Sequence, residues 1–146
     1  MRGRERKTVA SALLLGLSLM LSGLSAAIAA EPSLSGNFLP VVIAGSEPHR
    51  AALVDLIRGK PGLPAWVRNM VSRDRYVALA SRRVEVEGRA MQLFAACQAG
   101  NCAESAIRVL FSEDGKRAVM RVADLKLGTV VLGEPTPAEM GVLAAE

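Results

Sequence analysis

The chain has 146 residues, is 51% apolar but only 3% aromatic, and carries 18 basic and 14 acidic residues. Residues 1–30 contain four of the basic residues and one of the acidic residues, which leaves 14 basic and 13 acidic residues in the remainder. A remainder so close to neutral, with no basic stripe interleaved with aromatic residues, argues against a nucleic-acid partner.

Residues 1–30 have the form of a bacterial secretory signal peptide. Four basic residues within the first seven positions precede an apolar run at 9–30, and Ala27-Ile28-Ala29 fits the small-residue cleavage pattern. We therefore expect cleavage near Ala29 or Ala30, a periplasmic location, and no membrane attachment after cleavage. A retained anchor is the alternative, because the run is just long enough to span a bilayer.

Residues 31–146 are predicted to form a single domain. A chain of this length buries roughly 65% of its unfolded surface, which is enough for one core. Since aromatic residues are few, the core is expected to consist of Val, Leu, Ile, Ala and Met.

The first element of this domain is predicted to be a helix. Residues 31–45 precede it as a loose start, of which 38–43 are apolar enough to dock on the body. Ser46 is the expected N-cap, and the glycines and prolines of 58–64 end the helix. The only histidine, His49, falls in the first turn and is predicted to be solvent-exposed rather than catalytic.

Stretches with strand-like patterns follow and predict an antiparallel sheet. They are residues 75–81, 83–88, 89–97, 105–112, 116–124 and 125–133. Glu113-Asp114-Gly115 is a hairpin signal, and residues 136–139 read as the capping box of a short C-terminal helix. This order predicts an α+β fold, with a central antiparallel β-sheet of about five strands and short helices packed on one face.

The only two cysteines, Cys97 and Cys102, enclose a short loop. The loop residues are Gln98, Ala99, Gly100 and Asn101. In an exported protein the pair is most simply a disulfide, which would pre-order the loop and avoid about 0.5–1.5 kcal/mol per side chain on binding. A redox pair or a metal site is a weaker alternative, because the spacing and the number of ligands do not suit them. The loop falls between two strands, at a rim where binding residues often lie.

No catalytic constellation is evident. His49 is the only candidate imidazole base and no serine elbow accompanies it. Glu85 and Glu87 share one strand face, which is typical of a solvated surface, and no phosphate-cradling glycine loop is present. We therefore expect a binding protein rather than an enzyme, with no cofactor and no metal.

Three stretches of the chain occur in an order that carries a family resemblance. Leu-Pro-Ala-Trp-Val at 63–67 follows a helix that ends in glycine, the cysteine pair lies within 91–102, and a hairpin occupies 104–122. This combination, over residues 47–124, resembles the inhibitor of vertebrate lysozyme, or Ivy, family. The resemblance implies a periplasmic α+β protein, often dimeric, whose disulfide-closed loop plugs the active-site cleft of c-type lysozymes.

The loop tip differs from that family. Typical members have Cys-Lys-Pro-His-Asp-Cys, and the histidine engages the catalytic carboxylates. Here Gln98, Ala99, Gly100 and Asn101 stand at the four positions between the cysteines. The two amides still donate hydrogen bonds, but neutral donors bind carboxylates more weakly than charged ones. We therefore expect weak or absent inhibition of vertebrate-type lysozyme.

Two functions follow from the resemblance and from this difference. The first is a periplasmic inhibitor or binder of lysozyme or related peptidoglycan-cleaving enzymes, including the cell's own lytic enzymes, that inserts the loop into the target cleft. The alternative is a divergent periplasmic binding module on the same scaffold that has lost lysozyme inhibition. Both imply a protein partner, and both are compatible with a homodimer.

Overall fold

A computed structural model describes residues 33–145, which form one antiparallel sheet and four short helices. The predicted α+β class is therefore confirmed, whereas the predicted signal peptide lies outside the described residues. Within residues 33–145, no helix is both long enough and apolar enough to cross a membrane.

The helices and strands follow in the order that the sequence patterns predict, with two additional helices, one before Ser46 and a short one at Ala65–Arg68. The helices are α1 (Leu39–Gly45), α2 (Glu47–Ile57), α3 (Ala65–Arg68) and α4 (Pro137–Ala144). The strands are β1 (Tyr76–Ala78), β2 (Arg82–Val86), β3 (Arg89–Gln98), β4 (Ser105–Ser112), β5 (Ala118–Asp124) and β6 (Gly128–Leu132). Helix α1 forms where a loose start was expected, because Leu39 and Ile43, one turn apart, are both buried.

The sheet has the order β1-β3-β4-β5-β6, and β2 pairs with the same edge of β3 as β1 does. The predicted strand 75–81 ends at Ala78, because the Ser81 side chain turns inward and forms hydrogen bonds with neighbouring segments. Its hydroxyl donates to the Leu34 carbonyl at 3.1 Å and accepts from the Asn37 N–H and the Gln92 side chain, both at 3.0 Å. This buried hydroxyl anchors the segment before α1 to the sheet.

The two faces of the sheet carry separate apolar cores, since side chains alternate along each strand. On β4, Val109 and Phe111 join the core beneath α1, α2 and α3, whereas Leu110 joins a second core with Leu143 of α4. Helices α1 to α3 therefore form the helix layer that was expected on one face of the sheet. Helix α4 differs from that expectation, because it covers part of the opposite face. Leu110 and Leu143 place it there, because both are fully buried.

The capping box predicted for α4 is present and is tied to the sheet by an ion pair. The Thr136 hydroxyl accepts from the Glu139 N–H at 3.2 Å, and the Glu139 carboxylate accepts from the Thr136 N–H at 2.9 Å. The same carboxylate accepts a 2.6 Å hydrogen bond from Arg117. Burial raises the pKa of Glu139, but the hydrogen bonds from Arg117 and Thr136 outweigh it, so the pKa lies below its ordinary value.

His49 is buried, so the prediction of a solvent-exposed histidine is wrong. Its side chain is packed between α2 and the hairpin turn at Gly115, with its ring centroid 5.0 Å from that of Phe111. Ser46 occupies the N-cap position of α2, yet its hydroxyl pairs with His49 Nδ1 at 2.7 Å instead of capping the helix. Burial lowers the pKa of His49, and the nearby Asp114 carboxylate opposes this only in part.

The buried histidine predicts a pH-dependent stability. Because the folded pKa lies below the unfolded value of about 6.5, the unfolded chain binds a proton first as the pH falls. The contribution of neutral His49 to the free energy of unfolding is therefore fully present above about pH 6.5. It is lost as the pH falls below this value, with a slope of at most about 1.4 kcal/mol per pH unit. Urea unfolding at about pH 7.5 and about pH 5.5 measures the loss.

The matched control is His49→Gln, which stays neutral across this window. We expect the variant to be less stable at neutral pH but to lose less stability on acidification than the parent chain. Equal losses in the two proteins would show that His49 does not cause the pH dependence.

Candidate functional site

The loop between β3 and β4 is closed by a disulfide between Cys97 and Cys102, whose Cα atoms are 4.8 Å apart. The predicted disulfide is thus present, and the described residues contain no free cysteine. Cys97 lies in register with Ala106 near the end of the β3–β4 ladder. The loop therefore begins and ends on two central strands, which fix both of its ends.

The four residues between the cysteines form a tight turn. The Asn101 N–H donates to the Gln98 carbonyl at 2.9 Å, and Gly100 has a φ of 77°, as the third position of a type II turn requires. Ala99 and Gly100 are exposed, whereas Gln98 and Asn101 are half-buried. The structure thus brings all four predicted residues together, with Ala99 and Gly100 at the tip.

The base of the loop is held by Ser105, the first residue of β4. Its backbone N–H donates to the Asn101 carbonyl at 3.1 Å, and its hydroxyl accepts a 2.8 Å hydrogen bond from Trp66 Nε1 on α3. Trp66 also packs against the core. Hydrogen bonds from the Ser105 hydroxyl and the Leu127 N–H lower the pKa of Asp124. Helix α3, strand β4 and the β5–β6 turn therefore meet where the loop joins the sheet.

The β5–β6 turn lies directly beside the loop and presents two leucines to solvent. The Leu125 N–H donates to the Glu104 carbonyl at 2.8 Å, which joins this turn to the C-terminal side of the loop. The exposed fraction is 76% for Leu125 and 53% for Leu127. Exposed apolar side chains next to a pre-ordered loop are typical of a protein-binding edge.

Sequence reasoning missed these leucines because residues 125–133 were assigned to a strand. The strand begins only at Gly128, since Asp124 Oδ1 accepts from the backbone N–H groups of Lys126 and Leu127, both at 2.9 Å. An Asp that bonds to the backbone two and three residues later is a turn signal. Together with the following Gly128, it could have located the turn.

We name the combined surface the loop rim, defined as Gln98–Asn101 together with Leu125 and Leu127. The tip residues carry no formal charge, and the described residues contain no group of three His, Cys, Asp or Glu side chains arranged for a metal ion. The loop rim therefore offers amide donors, small side chains and two leucines. This chemistry suits contact with a protein surface better than bond cleavage or metal ligation.

Comparison with known proteins assigns no family to the chain. No protein-family model matches the sequence, and no curated protein matches it significantly. The similarity to the Ivy family remains a prediction from the sequence segments. The geometry of the loop rim is consequently the main basis for a functional proposal.

The disulfide is expected to order the loop more than it stabilises the domain. Replacing both Cys97 and Cys102 by Ala should lower the free energy of unfolding by about 2 kcal/mol, the chain-entropy value for so short a loop. Urea unfolding measures this loss, and far-ultraviolet circular dichroism should show the sheet intact. Complete unfolding of the double variant would contradict a mainly local role.

Proposed function

We propose that this protein is an exported binding protein that docks a peptidoglycan-cleaving enzyme, such as a lysozyme or a bacterial lytic enzyme, through the loop rim. The observation that carries the proposal is the disulfide-closed loop projecting from the central strands beside two exposed leucines. The resemblance of residues 47–124 to the Ivy family supports the choice of target class.

The ordered loop favours binding because its entropy cost is met during folding. The disulfide and the Asn101–Gln98 hydrogen bond restrict the turn, and the Trp66–Ser105 hydrogen bond holds its base. A loop already in one conformation avoids about 0.5–1.5 kcal/mol for each side chain that would otherwise be ordered on binding. Small residues at the tip also allow it to enter a narrow cleft.

The two leucines supply apolar contacts that a neutral loop tip lacks. Full burial of a leucine side chain contributes about 1.5–3 kcal/mol relative to its exposure. Leu125 and Leu127 are largely exposed in the free protein, so a partner that covers both gains most of this free energy for each leucine. The partner is therefore expected to present an apolar patch beside the cleft that receives the tip.

The first test is titration of the purified chain into a c-type lysozyme and a bacterial lytic transglycosylase, with calorimetry for binding and product release for inhibition. We expect binding to at least one of these enzymes. The Leu125→Ser/Leu127→Ser variant should bind at least about tenfold more weakly. Val41→Ser is the matched control, because Val41 is 68% exposed on α1, outside the loop rim. No binding to either enzyme would contradict the proposal.

The alternative is a binding module on the same scaffold that no longer inhibits lysozyme. The observation that favours it is Gly100, which stands where the family has the histidine that enters the target cleft. Without a charged donor, the tip makes weaker hydrogen bonds to a catalytic carboxylate pair.

Grafting the family loop onto this scaffold tests whether the loop tip alone accounts for a loss of lysozyme inhibition. The quadruple variant Gln98→Lys, Ala99→Pro, Gly100→His and Asn101→Asp should inhibit c-type lysozyme more strongly than the parent chain. The strain of placing His at a φ of 77° costs roughly 1–2 kcal/mol, and Pro at position 99 favours the turn. Enzyme assays with increasing inhibitor concentration measure the gain.

The control for the graft is the triple variant that keeps Gly100, since it differs from the quadruple variant only at position 100. Inhibition at least about tenfold stronger with the histidine would identify the ring as the missing group. Equal inactivity of both variants would favour the alternative, with the remaining surface also unsuited to lysozyme.

A further inference from the structure

Helix α4 covers only part of its face of the sheet, and a cavity of about 430 Å³ occupies part of the remainder. We name it the arginine cavity and define it by its principal lining residues. They are Val77, Leu79, Ala95, Arg108, Arg121 and Ala123, and the disulfide also lines it. This volume lies within the range of small-molecule sites, which are apolar concavities with a few convergent polar groups.

Two arginines lie opposite each other in the cavity. Arg108 on β4 and Arg121 on β5 are register partners and are half-buried. Like charges directly opposite across two strands destabilise a sheet. Among residues 33–145 neither arginine forms an ion pair, and Arg108 Nη1 is buried without a hydrogen-bond partner. A negatively charged group bound between the two guanidinium groups would therefore be stabilised.

The surroundings of the two guanidinium groups are apolar. Val77 and Leu79 are exposed on the β1 side, and Val131 is exposed on β6 in register with Arg121. Within residues 33–145, no acidic side chain lines the cavity. Small alanines on the central strands leave room above the sheet for a ligand body. The combination fits a molecule that has an anionic group at one end and an apolar body at the other.

We propose that the arginine cavity binds an amphiphilic anion, a carboxylate or a phosphate monoester attached to an acyl or aryl body. The anion would bridge the Arg108 and Arg121 guanidinium groups, whose planar donors match carboxylate and phosphate oxygens. The apolar body would lie over the alanines, between Leu79 and Val131. This site lies on the sheet face and does not depend on the function proposed for the loop rim.

A second copy of the chain is a poorer occupant than an amphiphilic anion. Symmetric pairing of the two faces would bring both copies of Arg108 and Arg121 together. Since none of the acidic residues that the structure describes lines the cavity, the four charges would have no counterpart in the interface. A small anion neutralises the arginines without bringing further positive charge.

Isothermal titration of the purified chain with decanoate and with decyl phosphate tests the proposal. The chain is first freed of bound lipid on a hydrophobic resin, and its N-terminus is identified by mass spectrometry. We expect saturable binding with one ligand per chain for at least one of these anions, and their relative affinities distinguish the carboxylate from the phosphate. Decanol and decyltrimethylammonium should bind at least about tenfold more weakly, and so should acetate, which lacks the apolar body.

Substitution of the arginines is the matched test on the protein. Arg108→Gln and Arg121→Gln should each weaken anion binding at least about tenfold, while the urea midpoint stays unchanged or rises because the repulsion is relieved. Arg73→Gln is the control, since Arg73 is exposed and does not line the cavity. If a Gln variant fails to fold, the Arg108→Lys/Arg121→Lys variant keeps both charges, and a smaller loss of affinity is expected.

Several results would overturn the proposal. They are equal affinity for decanol and decanoate, anion binding unaffected by both Gln substitutions, and no binding of any amphiphile. Dimerisation that is abolished by the Gln substitutions, measured by light scattering without ligand, would instead assign the face to a second copy. Binding of an acidic peptide without binding of the amphiphiles would assign it to a protein partner.

Discussion

The structure depends on burial of the central strand β4 from both sides. Val109 and Phe111 face the helices α1 to α3, Leu110 faces the opposite side, and all three are fully inaccessible to solvent. Because a slip of one residue would exchange the two faces, this burial fixes the register of β4 against β3 and β5. The same register fixes the positions of the stapled loop and of the two opposed arginines.

Local signals in the sequence predicted much of this arrangement. The Glu113-Asp114-Gly115 turn, the alternation along β4 and the capping box of α4 involve residues close in the chain, and each is present as predicted. The disulfide was equally predictable, since the predicted export and the close spacing of the two cysteines favour it. These features depend on a few neighbouring residues, so contacts with distant segments did not change the predicted local structure.

The remaining features depend on contacts between distant segments. Burial of His49 is set by the approach of Gly115, and the exposure of Leu125 follows from where β5 ends. Alternation along β4 and β5 predicts that each of the two arginines points away from the core beneath α1 to α3. That Arg108 lies opposite Arg121 follows only from the register of the whole β4–β5 hairpin. Periodicity identifies the two faces of a strand, but it does not say which helix covers which face.

The hydrogen bond from Trp66 to Ser105 gives the molecule a built-in optical reporter. The chain contains a single tryptophan, and its indole N–H is joined to the residue at which the stapled loop returns to the sheet. Indole emission responds to hydrogen bonding and to the polarity around the ring. Its fluorescence therefore reads out displacement at the foot of the loop without an attached dye, and no second tryptophan obscures the signal.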